Sequence, residues 1–390
     1  MMIQDKETLR TEIRAAMRKT EALDLWTNLP VDPMAHDACH GIDALLTANK
    51  SLLSQARALG VALPDESNEQ AQALFHTLFT ERPPLSGAAM RVLLSLERMG
   101  MHLGTRDMSA IGERIGEKSP EERMEWILEL ANLKSVACVL DPFTVGANGL
   151  LEKHAKGALS PKLLPALTVE ALQNALAHET PLHSPEGELE YDRHGTHLFK
   201  IAEQLVKWSS HFKARFVRAS WPREALVQDM LMRFAVLPVC EEHGMPLAME
   251  LSDCEAELEK QFAWVWEALR RSAGLRFVLA ARGGRTAEAL LARKAQPMGE
   301  RIFPVLATEK CMARKALDAA GTAAMPFASG AGVLEQTIGD WVEARREISQ
   351  AMYDRYLPLV KMGWAIHKEE IETDTDFLLG GNWENFSKRM

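Results

Sequence analysis

Short apolar runs of strand length recur along most of this sequence, each followed by a longer stretch with apolar residues at helical spacing. That alternation specifies parallel strands buried on both faces and joined by crossover helices. Eight runs are recognisable, near 28–33 (NLPVDP), 135–141 (SVACVLD), 162–167 (KLLPAL), 213–219 (KARFVRA), 245–251 (MPLAMEL), 275–281 (LRFVLAA), 301–306 (RIFPVL) and 323–328 (AAMPFA). The third is the weakest, because Pro165 removes a ladder donor from a central strand. Crossover helices read at Pro222–His243, Cys254–Ser272 and Arg285–Lys294. Eight strand–helix units within about 300 residues fit a closed (β/α)8 TIM barrel better than an open doubly wound sheet, which is the alternative.

The first two runs lie roughly 100 residues apart, far beyond an ordinary crossover. The intervening pattern is helical in pieces, at 41–59, 66–80, 86–99, 107–115 and 120–132. The expected organisation is a barrel from 1–40 and 133–390, a helical insertion at 41–132, and a helical C-terminal tail. In that tail one long helix follows Gly332 and a shorter segment lies around Glu369–Asp376. The polar stretch His178–Thr196, broken by Pro and Gly and followed by His197, reads as a solvated surface loop. Histidines 178, 183, 194 and 197 are too irregularly spaced for a zinc site.

Composition narrows the partners. With 47% hydrophobic and 25% charged residues the chain is globular, and 45 basic against 54 acidic residues leave a net charge of −9. Such a chain is not built to neutralise a phosphate backbone, so nucleic acid is not expected. No run approaches the ~18 apolar residues of a membrane span, and the first twenty residues alternate charges rather than forming a secretory signal. Five widely spaced cysteines, at 39, 138, 240, 254 and 311, read as reduced core thiols, which points to a cytoplasmic location. The nineteen methionines, mostly at helical spacing, read as core filler. No Gly-x-Gly-x-x-Gly frame follows a strand, since GGRT at 283–286 is too short, and no Gly-x-Ser-x-Gly elbow is present.

In a barrel the working groups project from the C-terminal strand ends. Those ends carry Asp32, Met34 and His36; then Asp141; then Arg218, Ser220 and Trp221; then Glu250, Arg282, Ser329 and Gly330. Arg218 and Arg282 suit a ligand carboxylate, and the competing reading pairs them with Asp141 or Glu250 as structural ion pairs. Trp221 offers an apolar face to a ligand or simply packs. Asp32 and Asp141 are acid–base groups or loop caps.

Several segments carry a family resemblance: FTERPPLSGAAMRVLLSLERMGMHL (79–103), ELANLKSVACVLDPF (129–143), LPVCEEHGMPLAME (237–250), VLEQTIGDWVEARREI (333–348) and GWAIHKEEIETDTDFLLGGNWENF (363–386). With these the chain resembles the uronate isomerases, most closely a glucuronate isomerase-like branch of the amidohydrolase superfamily. The resemblance implies an isomerase that interconverts the aldose and keto forms of a sugar acid such as glucuronate, and assembly into a homo-oligomer. It also implies a divalent metal such as zinc, held by a His-x-His pair after the first strand and an Asp after the eighth.

On the frame Val31-Asp32-Pro33-Met34-Ala35-His36, Met34 replaces the first histidine and His36 is the remaining metal ligand, while Gly330 replaces the aspartate. A catalytic divalent site needs about three protein ligands, so the expectation is either replacement ligands or no metal. His36 and His40, with Asp37 between them, share one face if a helix starts there. The expected catalytic residues are His36, Asp32, Asp141 and Arg282, and the expected substrate-binding residues are Arg218, Trp221 and Arg282. Two alternatives stay open: a non-catalytic sugar-acid-binding or regulatory relative, and a metal-dependent hydrolase using other ligands on the same barrel.

Overall fold

The structure is a computed structural model, and it describes every residue except 1, 36–38, 102, 103, 105, 117, 145–148, 150–159, 179, 185, 186, 190–195, 223–225, 308–310, 389 and 390. Seven strands, β1 (Ala22–Asp24), β2 (Leu133–Leu140), β3 (Leu163–Thr168), β4 (Phe216–Arg218), β5 (Leu247–Glu250), β6 (Phe277–Ala281) and β7 (Ile302–Leu306), form one parallel sheet in sequence order. An eighth segment closes the ring. Met325 bridges Val305 of β7, and Ala328 N–H donates to the Leu306 carbonyl at 3.2 Å. On the other side Gly330 N–H donates to the Trp26 carbonyl, and Asn28 N–H to that of Ala331, each at 2.8 Å. The alternation of apolar runs and helices therefore produces the TIM barrel, with β5, β6 and β7 buried almost throughout.

The first run was expected at 28–33, and the strand is Ala22–Asp24. From there the chain follows β2 irregularly as far as Pro30, which bridges Val139. The apolar pattern is blurred here because Asp24 and Thr27 are polar yet buried. Pro165 sits in the central strand β3 at little cost: the ladder to β4 begins one residue later, at Ala166 opposite Phe216, so no ladder donor is lost on that side.

Helix α1 (Lys6–Lys19) begins at Asp5, whose Oδ1 accepts from the N–H groups of Glu7 and Thr8, each at 2.9 Å. Residues 41–132 form helices at Gly41–Thr47, Lys50–Ala58, Ser67–Phe75, α2 (Gly87–Arg98), Met108–Gly116 and α3 (Pro120–Leu130), the last opened by a Ser119–Glu122 capping box. Helix α4 (Glu170–His178) follows β3 and α5 (Glu255–Arg271) follows β5. The tail begins with α6 (Gln336–Lys361) and continues through helices at Lys368–Asp376 and Asn382–Lys388. The polar stretch after α4 contains a small antiparallel pair, Leu182–Ser184 with Gly187–Leu189.

Two expectations about that stretch and about the cysteines are corrected. His197 is buried on the helix Thr196–Phe212 rather than solvated, while His194 lies outside the described residues. Cys138 and Cys240 are core thiols, but Cys254 is exposed at the start of α5. Among the described residues no helix is long and apolar enough to cross a membrane.

Helix α2 is locked onto α6. Ser95 Oγ donates to the Glu335 carbonyl and accepts from Gly339 N–H, both at 2.9 Å, and Arg91 pairs with the buried Asp340 at 3.0 Å. A Cβ on Gly339 would stand 2.8 Å from Ser95 Oγ and closer still to the Arg91 carbonyl oxygen. The crossing has no room for a methyl group. Gly339→Ala should therefore lower the unfolding free energy by about 2 kcal/mol or more, the range expected for overpacking against backbone. The urea midpoint at unchanged m-value measures it, and an unshifted midpoint would show that the two helices slide apart freely.

Candidate active site at the barrel mouth

The strand ends surround a cavity of about 740 Å³ at the exits of β4 and β5. Arg218, the last residue of β4, is buried there at 9% exposure. Its guanidinium lies over the Trp26 ring, 4.4 Å from the centroid. It donates to the Thr27 carbonyl at 2.8 Å and to Asn28 Oδ1 at 2.9 Å, with Glu170 Oε1 3.8 Å from its Nε. Burial pulls this guanidinium below its ordinary pKa, the carboxylates of Glu170 and Glu250 oppose that shift, and Arg282 adds to it.

Arg282 pairs with Glu250 Oε1 at 2.9 Å, so the ion-pair reading holds for it, although both groups remain partly exposed. Trp221 Nε1–H donates to the Glu250 carbonyl, and its ring meets Trp264 edge to face at 5.8 Å. With Trp26 these rings give the cavity apolar walls. Ser220 is held by Gln173, which accepts from its N–H at 2.9 Å and donates to its carbonyl at 2.7 Å. From α5 come Glu257, which accepts from Ser252 Oγ at 2.7 Å, together with Lys260 and Gln261.

Of the expected site residues, Arg218, Trp221 and Glu250 line one cavity, and Arg282 adjoins it through Glu250. Asp141 is placed otherwise: Oδ1 accepts from Phe143 N–H and Oδ2 from Ala171 N–H, each at 2.9 Å, so the carboxylate ties the end of β2 to the start of α4. Asp32 is half-buried before a short turn at Pro33–Ala35 and is not part of the cavity wall. Met34 packs against the core. His36 and Asp37 lie outside the described residues. His40 has an extended backbone and precedes the helix that starts at Gly41, so that helix does not include it.

The position of β1 also corrects the frame on which metal ligands were sought. The aspartate that ends the first strand is Asp24, and the two positions that alternate beyond it carry Trp26 and Asn28. Asp24 accepts from Trp341 Nε1 at 2.8 Å, Ser329 N–H at 3.2 Å and Trp26 N–H at 3.5 Å. Burial raises its pKa, and those bonds oppose the rise. Gly330 has φ +63°, and its carbonyl accepts from Asn28 Nδ2 at 3.2 Å. Among the described residues no three His, Cys, Asp or Glu side chains converge. An indole, an amide and a carboxylate already holding three donors do not make a divalent-metal site.

Glu170, Trp26, Trp264, Glu257 and Lys260 escaped the sequence reading. Glu170 is two residues beyond β3, the strand that Pro165 made doubtful. Trp26 was missed because β1 begins earlier than its apolar pattern indicates. The groups from α5 sit at helical positions with no strand-end signal.

No family model and no curated protein sequence matches the chain. Solved structures do. A uronate isomerase from Bacillus halodurans superposes with a TM-score of 0.81 at 22% identity, covering 100% of this chain and 98% of that one. A uronate isomerase from Thermotoga maritima gives 0.61 at 14% identity, covering 99% and 100%. A glucuronate isomerase from Caulobacter crescentus gives 0.63 at 11% identity, covering 98% and 94%. The chain has the fold of these proteins over their full length.

Burial lifts the Asp141 carboxyl to about 6, against the two backbone N–H bonds and with a small push from Glu170. A carboxyl whose folded pKa exceeds its unfolded value contributes stability that is complete below the unfolded pKa and is lost as pH rises through the folded one. Relative to Asp141→Asn, the protein should therefore lose stability between pH 4 and 7, by at most about 3 kcal/mol. Urea midpoints of both proteins across that range measure it; a pH-independent difference would mean the carboxyl stays ionised throughout.

Proposed function

We propose that the barrel mouth binds an open-chain sugar acid such as glucuronate and interconverts its aldose and ketose forms without a resident metal. The observation that carries this reading is Arg218, a desolvated guanidinium fixed by Thr27, Asn28 and Trp26 at the exit of β4. The full-length likeness to three structures of uronate or glucuronate isomerases supports it.

Isomerisation removes the proton from C2 of the aldehyde form and places its electron pair in an enediolate, whose charge develops on O1. Returning a proton to C1 while the O2 proton passes to O1 completes the ketose with no net gain or loss of atoms. Arg218 stabilises the developing oxyanion from a position that needs no reorganisation. Glu170, beside it and partly exposed, is the proton carrier. Glu250 is neutralised by Arg282, and Asp141 is filled by backbone donors, so neither is as free to serve. Lys260 on the cavity wall supplies positive charge toward the substrate carboxylate, with Arg282 behind it on Glu250, and the tryptophan faces take the carbon chain.

A second reading, binding without turnover, is favoured by Trp26 and Asn28 at the exit of β1. The test is an assay of aldose–ketose conversion with glucuronate and galacturonate, with and without chelator, beside equilibrium dialysis of the same sugars. Turnover should be indifferent to chelator. Arg218→Lys should lower kcat/KM by about 100-fold, roughly 2.7 kcal/mol of transition-state stabilisation. Glu170→Gln should abolish turnover and keep binding. Binding with no turnover in the unmodified protein would establish the second reading; activity that disappears on metal removal would sink the metal-free mechanism.

A further inference from the structure

At the opposite end of the barrel, where the chain enters β1 and β2, a second cavity of about 600 Å³ lies between α1, α6 and the ends of α2 and α3. Six arginines line it: Arg10, Arg14, Arg18, Arg98, Arg345 and Arg346. No lysine does, and Glu129 is the one acidic group of its wall. Six cations against one anion in a chain of net charge −9 is a local inversion that folding alone does not require.

Arg18 and Arg98 fall in the last turns of their helices, where a cation complements the helix dipole. That account does not extend to the others. Arg10, Arg14 and Arg18 stand one turn apart on one face of α1, and each such like-charge pair destabilises a helix by about 0.2–0.5 kcal/mol. Arg345 has a structural task. It donates to the carbonyls of Met17, Thr20 and Asn132, while its buried Nε–H has no acceptor. Arg10 lies over the Tyr353 ring, 4.6 Å from its centroid. Among the described residues Arg14, Arg18, Arg98 and Arg346 make no ion pair and are exposed.

The floor of the cavity differs from its rim. Ile13, Met17 and Val342 are buried apolar residues, with Tyr353 half-buried beside them. Exposed guanidinium groups around an apolar, aromatic floor match a ligand with several adjacent phosphates and a flat apolar body. Arginine, unlike lysine, binds phosphate through paired parallel N–H groups and also stacks on planar rings.

We infer that this cavity is a binding site for a small organic polyphosphate of the nucleoside di- or triphosphate class, separate from the barrel mouth. The phosphates lie against Arg14, Arg18 and Arg346, and the apolar body lies on Ile13, Met17 and Val342 beside the Tyr353 ring that Arg10 covers. The inference does not depend on the isomerase reading, because it uses none of the residues of the mouth.

The experiment is calorimetric titration of the full chain with ATP, ADP, AMP and inorganic tripolyphosphate at about 0.15 M salt, where diffuse surface attraction is largely screened. One site per chain is expected, with ATP bound about tenfold or more tighter than AMP. Arg18→Glu combined with Arg346→Glu should weaken ATP binding by at least about tenfold, while Arg57→Glu, an exposed arginine elsewhere, should leave it unchanged. Circular dichroism of the variants confirms that folding is retained. No saturable binding of any probe would overturn the site, as would an equal loss in Arg57→Glu, which marks a general charge effect. Tripolyphosphate binding as tightly as ATP would overturn the organic class, since the apolar floor would then contribute nothing.

Discussion

The buried carboxylate of Asp24 holds the ring together. It ends β1, accepts from the backbone of Ser329 in the closing segment, and accepts from Trp341 on α6, so three parts of the chain meet on one side chain. A carboxylate taken out of water is costly unless its oxygens are filled, and removing any one donor leaves that cost partly uncompensated. The arrangement aligns the first and last segments of the barrel, and it places Trp26 and Asn28 at the mouth. What those two residues can hold then decides the chemistry.

There the answer is a guanidinium. Arg218 reaches across from β4 and takes the carbonyl of Thr27, the amide oxygen of Asn28 and the face of Trp26 as its cradle. A fixed positive group thus stands in a site whose fold is shared with uronate isomerases, where no three metal-ligating side chains converge among the described residues. The surrounding Glu170, Glu250 and Arg282 leave the local charge nearly balanced, in contrast to the arginine-lined cavity at the other end of the barrel.

Much of the barrel was legible because parallel strands buried on both faces must be apolar, and the runs ending at Arg218, Glu250 and Ala281 show this cleanly. The helices of 41–132 were legible from their spacing and from caps such as Ser119. The first strand was not, because it is only three residues long and ends on the buried Asp24, with the polar Thr27 buried just beyond it. With the strand at 22–24 rather than 28–33, the positions that face the mouth are Trp26 and Asn28 rather than Met34 and His36. Glu170 was hidden by the proline in β3, whose harmlessness follows from where pairing with β4 begins, a fact of register that no local pattern carries. The arginine-lined cavity has no signature along the chain, since it is assembled from four helices.

The tie between Asp24 and Trp341 spans 317 positions. A ribosome adds roughly 5–20 residues per second, so the first strand is synthesised many seconds before its partner helix exists. During that interval β1 can pair with β2, but its other edge and its carboxylate face water, and α1 has nothing to pack against along α6. The short ladder between Met2–Ile3 and Ile366–His367 is later still. Closure of the ring therefore waits until the closing segment and the long helix have been made. A growing chain stalled short of the long helix would present an open parallel sheet whose unprotected edge is a target for chaperones or for another nascent chain.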